Sequence, residues 1–417
     1  MNRYFNEKSN YDKYPVVNVP GMEEECRVGW RAISDRLEKD LSQIGKKVKV
    51  VVLECYQGVS DEEVVTALQS AFPASRWFFS ADAMKSPEQI DAILKQDITE
   101  DEIFGYMTRQ NMDCYFDGDK LPGIRSEIAA ITEGIVFVYG VGAAYVQPSY
   151  DLLVYADMAR WEIQMRFRCN EVSNVGISNR EERASLQYKR AFFVDWRICD
   201  RFKKKLMKKW DYVLDTNTAG NPKMATAKAI EAGLEKASRT PFRVVPFFDP
   251  GPWGGQWMKE VCDLDREVPN FAWCFDCVPE ENSLYLGFGD VRFELPSIDL
   301  VFAYPARLLG NPVYGRFGDE FPIRFDFLDT MEGGNLSLQV HPLTQYIQEK
   351  FGMHYTQDES YYMLDAAEDA TVYLGVKEGI EPEEMIDALN EAQESGCFDA
   401  EKYVGRYPVK KHDHLLI

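Results

Sequence analysis

The sequence predicts an α/β fold in two parts, a doubly wound parallel sheet followed by a mostly β domain. In residues 1–240, apolar runs of strand length alternate with segments of helical periodicity, which is typical of a parallel sheet covered by helices. From Arg243 onward the apolar runs are short and are separated by Gly and Pro, which favours a sandwich or barrel. We therefore place one domain at 1–240 and a second at 241–417, with the boundary after a predicted helix at Ala225–Ala237.

The strands of the first domain are recognised by their apolar, Val-rich composition. They are predicted at Lys46–Cys55, Arg76–Ser80, Gly134–Tyr139 and Leu152–Ala156. After the first of these strands, Ser60 or Asp61 can cap the helix that follows. Glu54, Asp82 and Asp157 each lie near the end of a predicted strand, where parallel sheets bind their ligands.

The order of these strands and helices resembles the layout of the uridine-kinase and phosphoribulokinase group of P-loop kinases. The phosphate-binding motif GxxxxGK[ST] is absent, and the turn Tyr56–Asp61 contains no lysine. Without that lysine and its Ser/Thr neighbour, nothing positions phosphates and Mg²⁺ for phosphoryl transfer. The first domain is therefore expected to be a degenerate P-loop-kinase-like fold whose acidic strand ends are structural or vestigial.

Two groups of basic residues follow on predicted helices. Arg160, Arg166 and Arg168 lie on the helix after the fourth strand, and Lys203-Lys204-Lys205 lie on a later helix. We predict that the arginines form a solvated helix face with salt bridges, with an anion clamp as the alternative. Because the chain as a whole is acidic, we predict a solvated helix face for the lysines.

Composition excludes several classes of partner. The formal charge of −21 argues against nucleic acid or an anionic membrane as partner, although a local basic cluster can still bind a phosphorylated small molecule. The longest apolar run, Gly134–Val146, is too short to span a bilayer, and the polar segment Met1–Tyr14 lacks the apolar region of a secretory signal. Nine cysteines, an odd number, argue against a disulfide framework, and Cys274 and Cys277 are interpreted as buried strand cysteines. We therefore predict a cytoplasmic protein.

The stretch Asn335–Leu364 is the most informative about function. Within it, Leu336–Val340 alternates apolar and polar residues and predicts a half-buried strand. Gln339 and His341 would then share one face, and Glu359 opens a second apolar run. An amide oxygen, an imidazole and a carboxylate that converge from adjacent strands would form a mixed N/O site for zinc or a similar ion. The same spacing also fits surface or satisfied core polar groups, so spacing alone leaves both interpretations open.

A family resemblance favours the metal site. Ser337-Leu338-Gln339-Val340-His341-Pro342 resembles the signature of type I mannose-6-phosphate isomerases, which are zinc-dependent cupins. The segment Asp358–Tyr362 is similar to the Glu-x-Trp-Tyr segment of that family. The resemblance extends over Arg243–Ile417 and implies that the second domain is a cupin-like barrel.

The function that this resemblance implies is the interconversion of mannose 6-phosphate and fructose 6-phosphate. Gln339, His341 and Glu359 would hold Zn²⁺, and Ser337 would contact the phosphate of the sugar-phosphate substrate. No residue is assigned as general base. The alternative is a non-catalytic sugar-phosphate or nucleotide-binding sensor, and a homodimer through the first domain is a further prediction.

The sequence departs from the isomerase family at three places. Gln357 and Asp326 stand where the family has lysines. The family's fourth ligand, a His in a Pro-Ala-Gly-Thr-x-His loop, has no counterpart, because Val409–Ile417 matches the strand that leads into that loop. We therefore expect a truncated, incomplete barrel with little isomerase activity, whose open edge favours association. His412 or His414 as a substitute ligand is the alternative.

Overall fold

The computed structural model describes residues 8–417, so the first seven residues of the polar segment Met1–Tyr14 lie outside the described residues. The strands of the first half are β1 (Val16–Asn18), β2 (Cys26–Val28), β3 (Val48–Cys55), β4 (Arg76–Phe79), β5 (Gly134–Gly140), β6 (Leu152–Asp157), β7 (Tyr212–Asp215) and β8 (Lys223–Thr226). Its α-helices are α1 (Trp30–Gln43), α2 (Asp61–Ala71), α3 (Pro87–Ile98), α4 (Lys120–Ala129), α5 (Ala143–Val146), α6 (Arg160–Arg168), α7 (Ala184–Arg190), α8 (Trp196–Leu206) and α9 (Ala227–Ala237). A π-helical turn, Ala191–Asp195, joins α7 to α8, and 3₁₀ turns lie at Glu23–Glu25, Ser80–Ala83 and Met112–Tyr115.

A seven-stranded sheet organises the first half of the chain. Its strand order is β2-β8-β7-β6-β3-β5-β4. The five strands from β4 to β7 in this order pair in parallel, whereas β8 and β2 are antiparallel additions at one edge. The α/β class and the parallel core of the sheet are therefore confirmed, and the antiparallel edge is a feature that the strand patterns did not predict.

Local sequence explains β3, the middle strand of the five parallel strands, and the helix that follows it. Val51, Val52 and Leu53 of β3 are fully buried, because this strand has a neighbour on each side and lies in the main core. The side chain of Ser60 accepts a hydrogen bond from the backbone N–H of Glu63, 3.4 Å away, and so caps α2. The predicted strand and cap are both confirmed.

The second half consists of short elements. Its strands are β9 (Phe247–Asp249), β10 (Trp273–Cys277), β11 (Ser283–Phe288), β12 (Val291–Pro296), β13 (Phe325–Leu328), β14 (Ser360–Tyr362), β15 (Thr371–Val376), β16 (Val404–Pro408) and β17 (His414–Leu416). Its helices are α10 (Trp257–Val261), α11 (Ile298–Ala303), α12 (Pro305–Leu309), α13 (Asn311–Phe317), α14 (Thr344–Phe351), α15 (Pro382–Ser395) and α16 (Ala400–Tyr403).

These strands pair in small separate sheets. The sheets have the orders β1-β11-β12, β13-β10-β9, β14-β17 and β15-β16. Cys274 of β10 is fully buried and Cys277 is half-buried, and both are free thiols, in keeping with their interpretation as strand cysteines. The cupin-like barrel itself stays a prediction.

Contacts cross the predicted boundary between residues 240 and 241. Strand β1 pairs in parallel with β11, so the N-terminal segment is part of a sheet whose other strands follow residue 280. The main hydrophobic cluster continues from Val17 through the large sheet to Leu284, Phe293 and Leu300. A second, smaller cluster surrounds Met258. The two-domain division stays a prediction, and the segment from Leu284 to Leu300 shares one core with the first half.

The strand predicted at Leu336–Val340 is wrong. The structure has irregular backbone there, between β13 and α14, and Val340 is 81% exposed. Gly333 and Gly334 precede the segment and Pro342 follows it, and each of these residues opposes regular strand pairing. Alternation of apolar and polar residues does not produce a strand where no neighbouring strand pairs with the segment.

Candidate functional site

The structure brings together two of the residues predicted as metal ligands. The Nε2 atom of His341 lies 3.3 Å from Oε2 of Glu359, and both side chains are about a quarter exposed. His341 comes from the irregular segment before α14, and Glu359 immediately precedes β14. The two residues are 18 positions apart in sequence but adjacent in space, as the metal-site interpretation requires.

The other nitrogen of the His341 ring defines its tautomer. Nδ1 lies 3.1 Å from the backbone carbonyl oxygen of Gln357. Because a carbonyl oxygen can only accept, Nδ1 must carry a proton and donate it there. Nε2 is then the ring nitrogen that faces the Glu359 carboxylate. A His that donates one ring N–H to a carbonyl is the usual arrangement of a metal ligand.

The separation of the two side chains is also compatible with a shared metal ion. Two ligands of one tetrahedral Zn²⁺, each about 2.0–2.2 Å from the ion, lie about 3.4 Å apart. The observed 3.3 Å between His341 and Glu359 matches this value. The pair therefore fits a small divalent ion in both donor chemistry and spacing.

The remaining predicted site residues do not join the pair. Gln339 and Ser337 are exposed on the irregular segment, and neither forms a hydrogen bond with another described residue. Within residues 8–417, no group of three or more His, Cys, Asp or Glu residues is arranged to hold a metal ion. The assignment of Gln339, His341 and Glu359 as a complete ligand set therefore stays a prediction.

Tyr361 and Asp326 lie near Glu359. The hydroxyl of Tyr361 lies 3.4 Å from Oε1 of Glu359, and burial, followed by the charge of Glu359, raises the pKa of Tyr361 to about 12. Burial and then Glu359 also raise the pKa of Asp326 to about 6. Sequence reasoning did not assign Tyr361 to the site, although residues two apart on a strand share a face and Glu359 and Tyr361 have this spacing.

His412 and His414 lie elsewhere. The Tyr362 hydroxyl is 2.8 Å from Nδ1 of His412, and His414 is opposite Tyr362 in the β14–β17 pair. Cross-strand partners share a face, and Tyr361 faces the other side of the same strand. Neither histidine therefore reaches Glu359 to act as a substitute ligand.

The carboxyl end of the large sheet carries the other predicted acidic residues. Glu54 is 1% exposed and accepts hydrogen bonds from the backbone N–H groups of Gly142 and Ala144, each at 2.7 Å. Burial raises the pKa of Glu54 to about 8, although these two hydrogen bonds oppose the shift. Glu54 thus orders the start of α5, whereas Asp82 is exposed at the surface.

The prediction that Arg160 and Arg166 form a solvated face is wrong. Arg160 is 1% exposed and Arg166 is 5% exposed, whereas Arg168 is an exposed arginine paired with Asp249. Arg166 donates from Nη1 to the carbonyl of Gly58 at 2.8 Å, which ties α6 to the turn after β3.

That turn is packed by the protein itself. Gly58 has a φ of +91°, and a Cβ there would lie 2.8 Å from Cγ1 of Ile163. Ile163 of α6 therefore packs against the backbone of this turn. The kinase-like character of the turn stays a prediction.

The lysine run also needs correction. Lys203 is 1% exposed, and its Nζ donates to both carboxylate oxygens of Asp157, at 2.8 and 2.9 Å, and to Asp299 at 2.9 Å. Lys204 lies at the surface and pairs with Asp319. Of the three consecutive lysines, only Lys203 lies on the inner face of α8. It follows the buried residue Cys199 by one helical turn, so the two side chains share a face.

Comparison with known proteins assigns the chain to a family. A family model described as "Domain of unknown function (DUF8485)" matches residues 29–239, half of the chain, so this protein belongs to the DUF8485 family. No curated protein matches the chain. The resemblance to P-loop kinases gains no support from this family, whose function is unknown.

Among solved structures, the chain is similar to the mannose 6-phosphate isomerase from Bacillus subtilis. The two chains are 21% identical with a TM-score of 0.34, and the similarity covers 43% of this chain and 52% of that chain. The match thus spans about half the length of the bacterial enzyme.

In residues 8–417, no helix has the length and apolar character needed to cross a membrane.

Proposed function

We propose that this chain is a divalent-metal-dependent aldose–ketose isomerase of sugar phosphates, with mannose 6-phosphate and fructose 6-phosphate as the pair it interconverts. The observation that carries the proposal is the arrangement of His341, whose Nδ1 is held by the carbonyl of Gln357 while Nε2 meets Glu359 at 3.3 Å. The resemblance of the segment Ser337–Pro342 to the isomerase signature supplies the reaction class.

The residues present fit part of the metal site. His341 and Glu359 would hold the ion, and Gln339 would supply an amide oxygen after rotation of its exposed side chain. When bound, the ion would act as a Lewis acid toward carbonyl and hydroxyl oxygens of the sugar. The carbonyl of Gln357 fixes the His341 ring, and the hydroxyl of Tyr361 orients the carboxylate of Glu359.

Substrate contacts are proposed for the same segment. Ser337 is exposed and would donate its hydroxyl to the sugar phosphate. The general base stays unassigned, because the family's lysine positions hold Gln357 and Asp326 in this chain.

The first experiment measures zinc content and isomerase turnover for the wild type, His341→Ala and a matched control, His354→Ala. His354 is an exposed histidine paired with Glu320, outside the candidate site. We expect about one zinc per chain for the wild type and the control and loss of zinc in His341→Ala, with turnover low in the wild type and the control and absent in His341→Ala. Equal zinc content in both variants would contradict the proposal.

The alternative is a non-catalytic sugar-phosphate or nucleotide sensor. It is favoured by the observation that only two of the three predicted ligands meet. Stoichiometric binding of mannose 6-phosphate without turnover, by a chain that holds zinc, would support the sensor instead of the isomerase.

A further inference from the structure

A buried polar cluster lies where the connections of the large sheet diverge. After β3 the chain continues to β4, at one edge of the sheet. After the adjacent strand β6 it continues to β7, in the direction of the opposite edge. Open parallel sheets bind ligands in the crevice at this point, outside the carboxyl ends of the strands. The residues that occupy it, which we call the switch-point cluster, are the buried Tyr56, Arg160, Trp196 and Asp200 and the half-buried Arg197.

Arg160 has more hydrogen-bond donors than partners. Its Nη2 donates to Asp200, which also accepts a hydrogen bond from Tyr56 at 2.9 Å. Its Nε and Nη1 are buried and have no partner among the described residues. A buried charged group with unmade hydrogen bonds is costly, so such donors indicate a group that the protein chain itself does not supply.

Trp196 adds a third free donor at the same place. The residue is fully buried, and its indole Nε1 has no partner among residues 8–417. The guanidinium carbon of Arg160 lies 4.9 Å from the centre of the Trp196 ring. The unsatisfied donors of these two residues therefore belong to one neighbourhood.

A second arginine adds positive charge to the neighbourhood. Arg197 donates Nε to the carbonyl of Phe192 at 2.9 Å and forms no ion pair with a described residue. Burial, followed by the charge of Arg160, lowers the pKa of Arg197. Arg160 is also the first residue of α6, whose helix dipole places partial positive charge at that end.

The nearby carboxylates do not satisfy these donors. Asp200 is already engaged by Arg160 and Tyr56. Glu281 accepts hydrogen bonds from Gln164 at 2.6 Å and from Tyr188 at 3.1 Å, and burial raises its pKa. Glu280 pairs through Oε1 with Arg324 at 2.5 Å. None of these carboxylates accepts a hydrogen bond from Nε or Nη1 of Arg160 among the described residues.

We propose that the switch-point cluster binds a small oxyanion of the phosphate class, held by the free N–H groups of Arg160, the indole N–H of Trp196 and the charge of Arg197. Guanidinium groups suit this role because their planar fork of donors matches two oxygens of a phosphate. The site is separate from His341 and Glu359, so this inference is independent of the proposed isomerase activity.

The experiment titrates the full chain, stripped of metal, with inorganic phosphate and follows the indole N–H resonances by NMR. The Trp196 signal is identified by its absence in Trp196→Phe, a substitution that keeps the ring and removes the donor. We expect saturable binding in the wild type, a downfield shift of the Trp196 indole proton, and about tenfold weaker binding in Trp196→Phe measured by calorimetry. Arg168→Lys, on the same helix but paired with Asp249 at the surface, should bind as the wild type does.

Two controls separate the inference from its alternatives. Ser337→Ala removes the hydroxyl proposed to contact phosphate at the isomerase site and should leave the affinity for inorganic phosphate unchanged; a loss of affinity in this variant would show that the phosphate binds at the isomerase site instead. Thermal melts of Trp196→Phe establish that it is folded. No saturable phosphate binding in the wild type, or equal affinity in wild type and folded Trp196→Phe, would overturn the inference and leave the free donors to internal water.

Discussion

Lys203 and Asp299 form a fully buried ion pair that joins the two halves of the chain. Nζ of Lys203 on α8 lies 2.9 Å from Oδ1 of Asp299 on α11, and each side chain is 1% exposed. Asp157 at the end of β6 completes the arrangement, 2.8 Å from the same Nζ. Burial and then Asp157 raise the pKa of Asp299, whose second oxygen has no partner in the described chain. One lysine thus compensates two acids inside the protein.

Replacement of Lys203 should be strongly destabilising. Lys203→Met leaves Asp157 and Asp299 buried without a cation, and we expect a loss of about 3–5 kcal/mol in the free energy of unfolding. Lys204→Met is the matched control, since Lys204 is a neighbouring surface lysine paired with Asp319 and should cost less than about 1 kcal/mol. Urea denaturation of both variants measures the difference, and similar losses would contradict the buried arrangement.

Glu54 should make stability depend on pH. Burial raises its pKa to about 8 in the folded state, above the value of about 4.3 in the unfolded chain. The stabilisation from the protonated carboxyl is therefore complete below about pH 4.3 and is lost as the pH rises through about 8. We expect the free energy of unfolding of the wild type to fall over this interval relative to that of Glu54→Gln, which does not titrate. Parallel pH profiles for the two proteins would be evidence against the shift.

The turn after β3 should tolerate no side chain at Gly58. Gly58→Ala forces a Cβ into a left-handed backbone and within 2.8 Å of Ile163, and we expect a loss of about 2–4 kcal/mol. Gly220→Ala is the control, because Gly220 also has positive φ, +71°, but no atom within 4 Å of the added Cβ. Its cost should be about 1 kcal/mol. Denaturant midpoints distinguish the two, and equal costs would show that Ile163 can move away.

The Tyr361 hydroxyl should affect metal binding through Glu359. Tyr361→Phe removes the group 3.4 Å from Oε1 of Glu359, and we expect zinc affinity to fall about tenfold. Tyr362→Phe is the matched control, since its hydroxyl contacts His412 on the opposite face of β14. Competition with a zinc-binding dye provides the affinities. Identical values for both variants would remove Tyr361 from the site.

Much of the first half could be predicted from the sequence, because its signals are local. The Val-rich composition of β3 and the capping position of Ser60 depend only on neighbours along the chain, and both features are present in the structure. The same local reasoning failed for Leu336–Val340, because a strand also needs a partner, and partners are set by distant parts of the chain.

The ion pairs of Arg160 and Lys203 could not be predicted from the sequence for the same reason. Arg160 and Lys203 resemble surface residues when read along their helices, and the composition of the chain favours that interpretation. Only the packing of α6 and α8 against the carboxyl end of the large sheet buries them, where Asp200, Asp157 and Asp299 supply their counter-charges.

The sequence by itself determined the α/β class and the parallel strands of the first half, and its resemblance to the isomerase signature named His341 and Glu359 as candidate ligands. The tertiary structure decided that these two side chains meet at 3.3 Å and that Arg160 and Lys203 are buried. The physical reason is that strand and helix patterns come from interactions between close neighbours in sequence, whereas burial and charge pairing depend on which distant segments fold against each other.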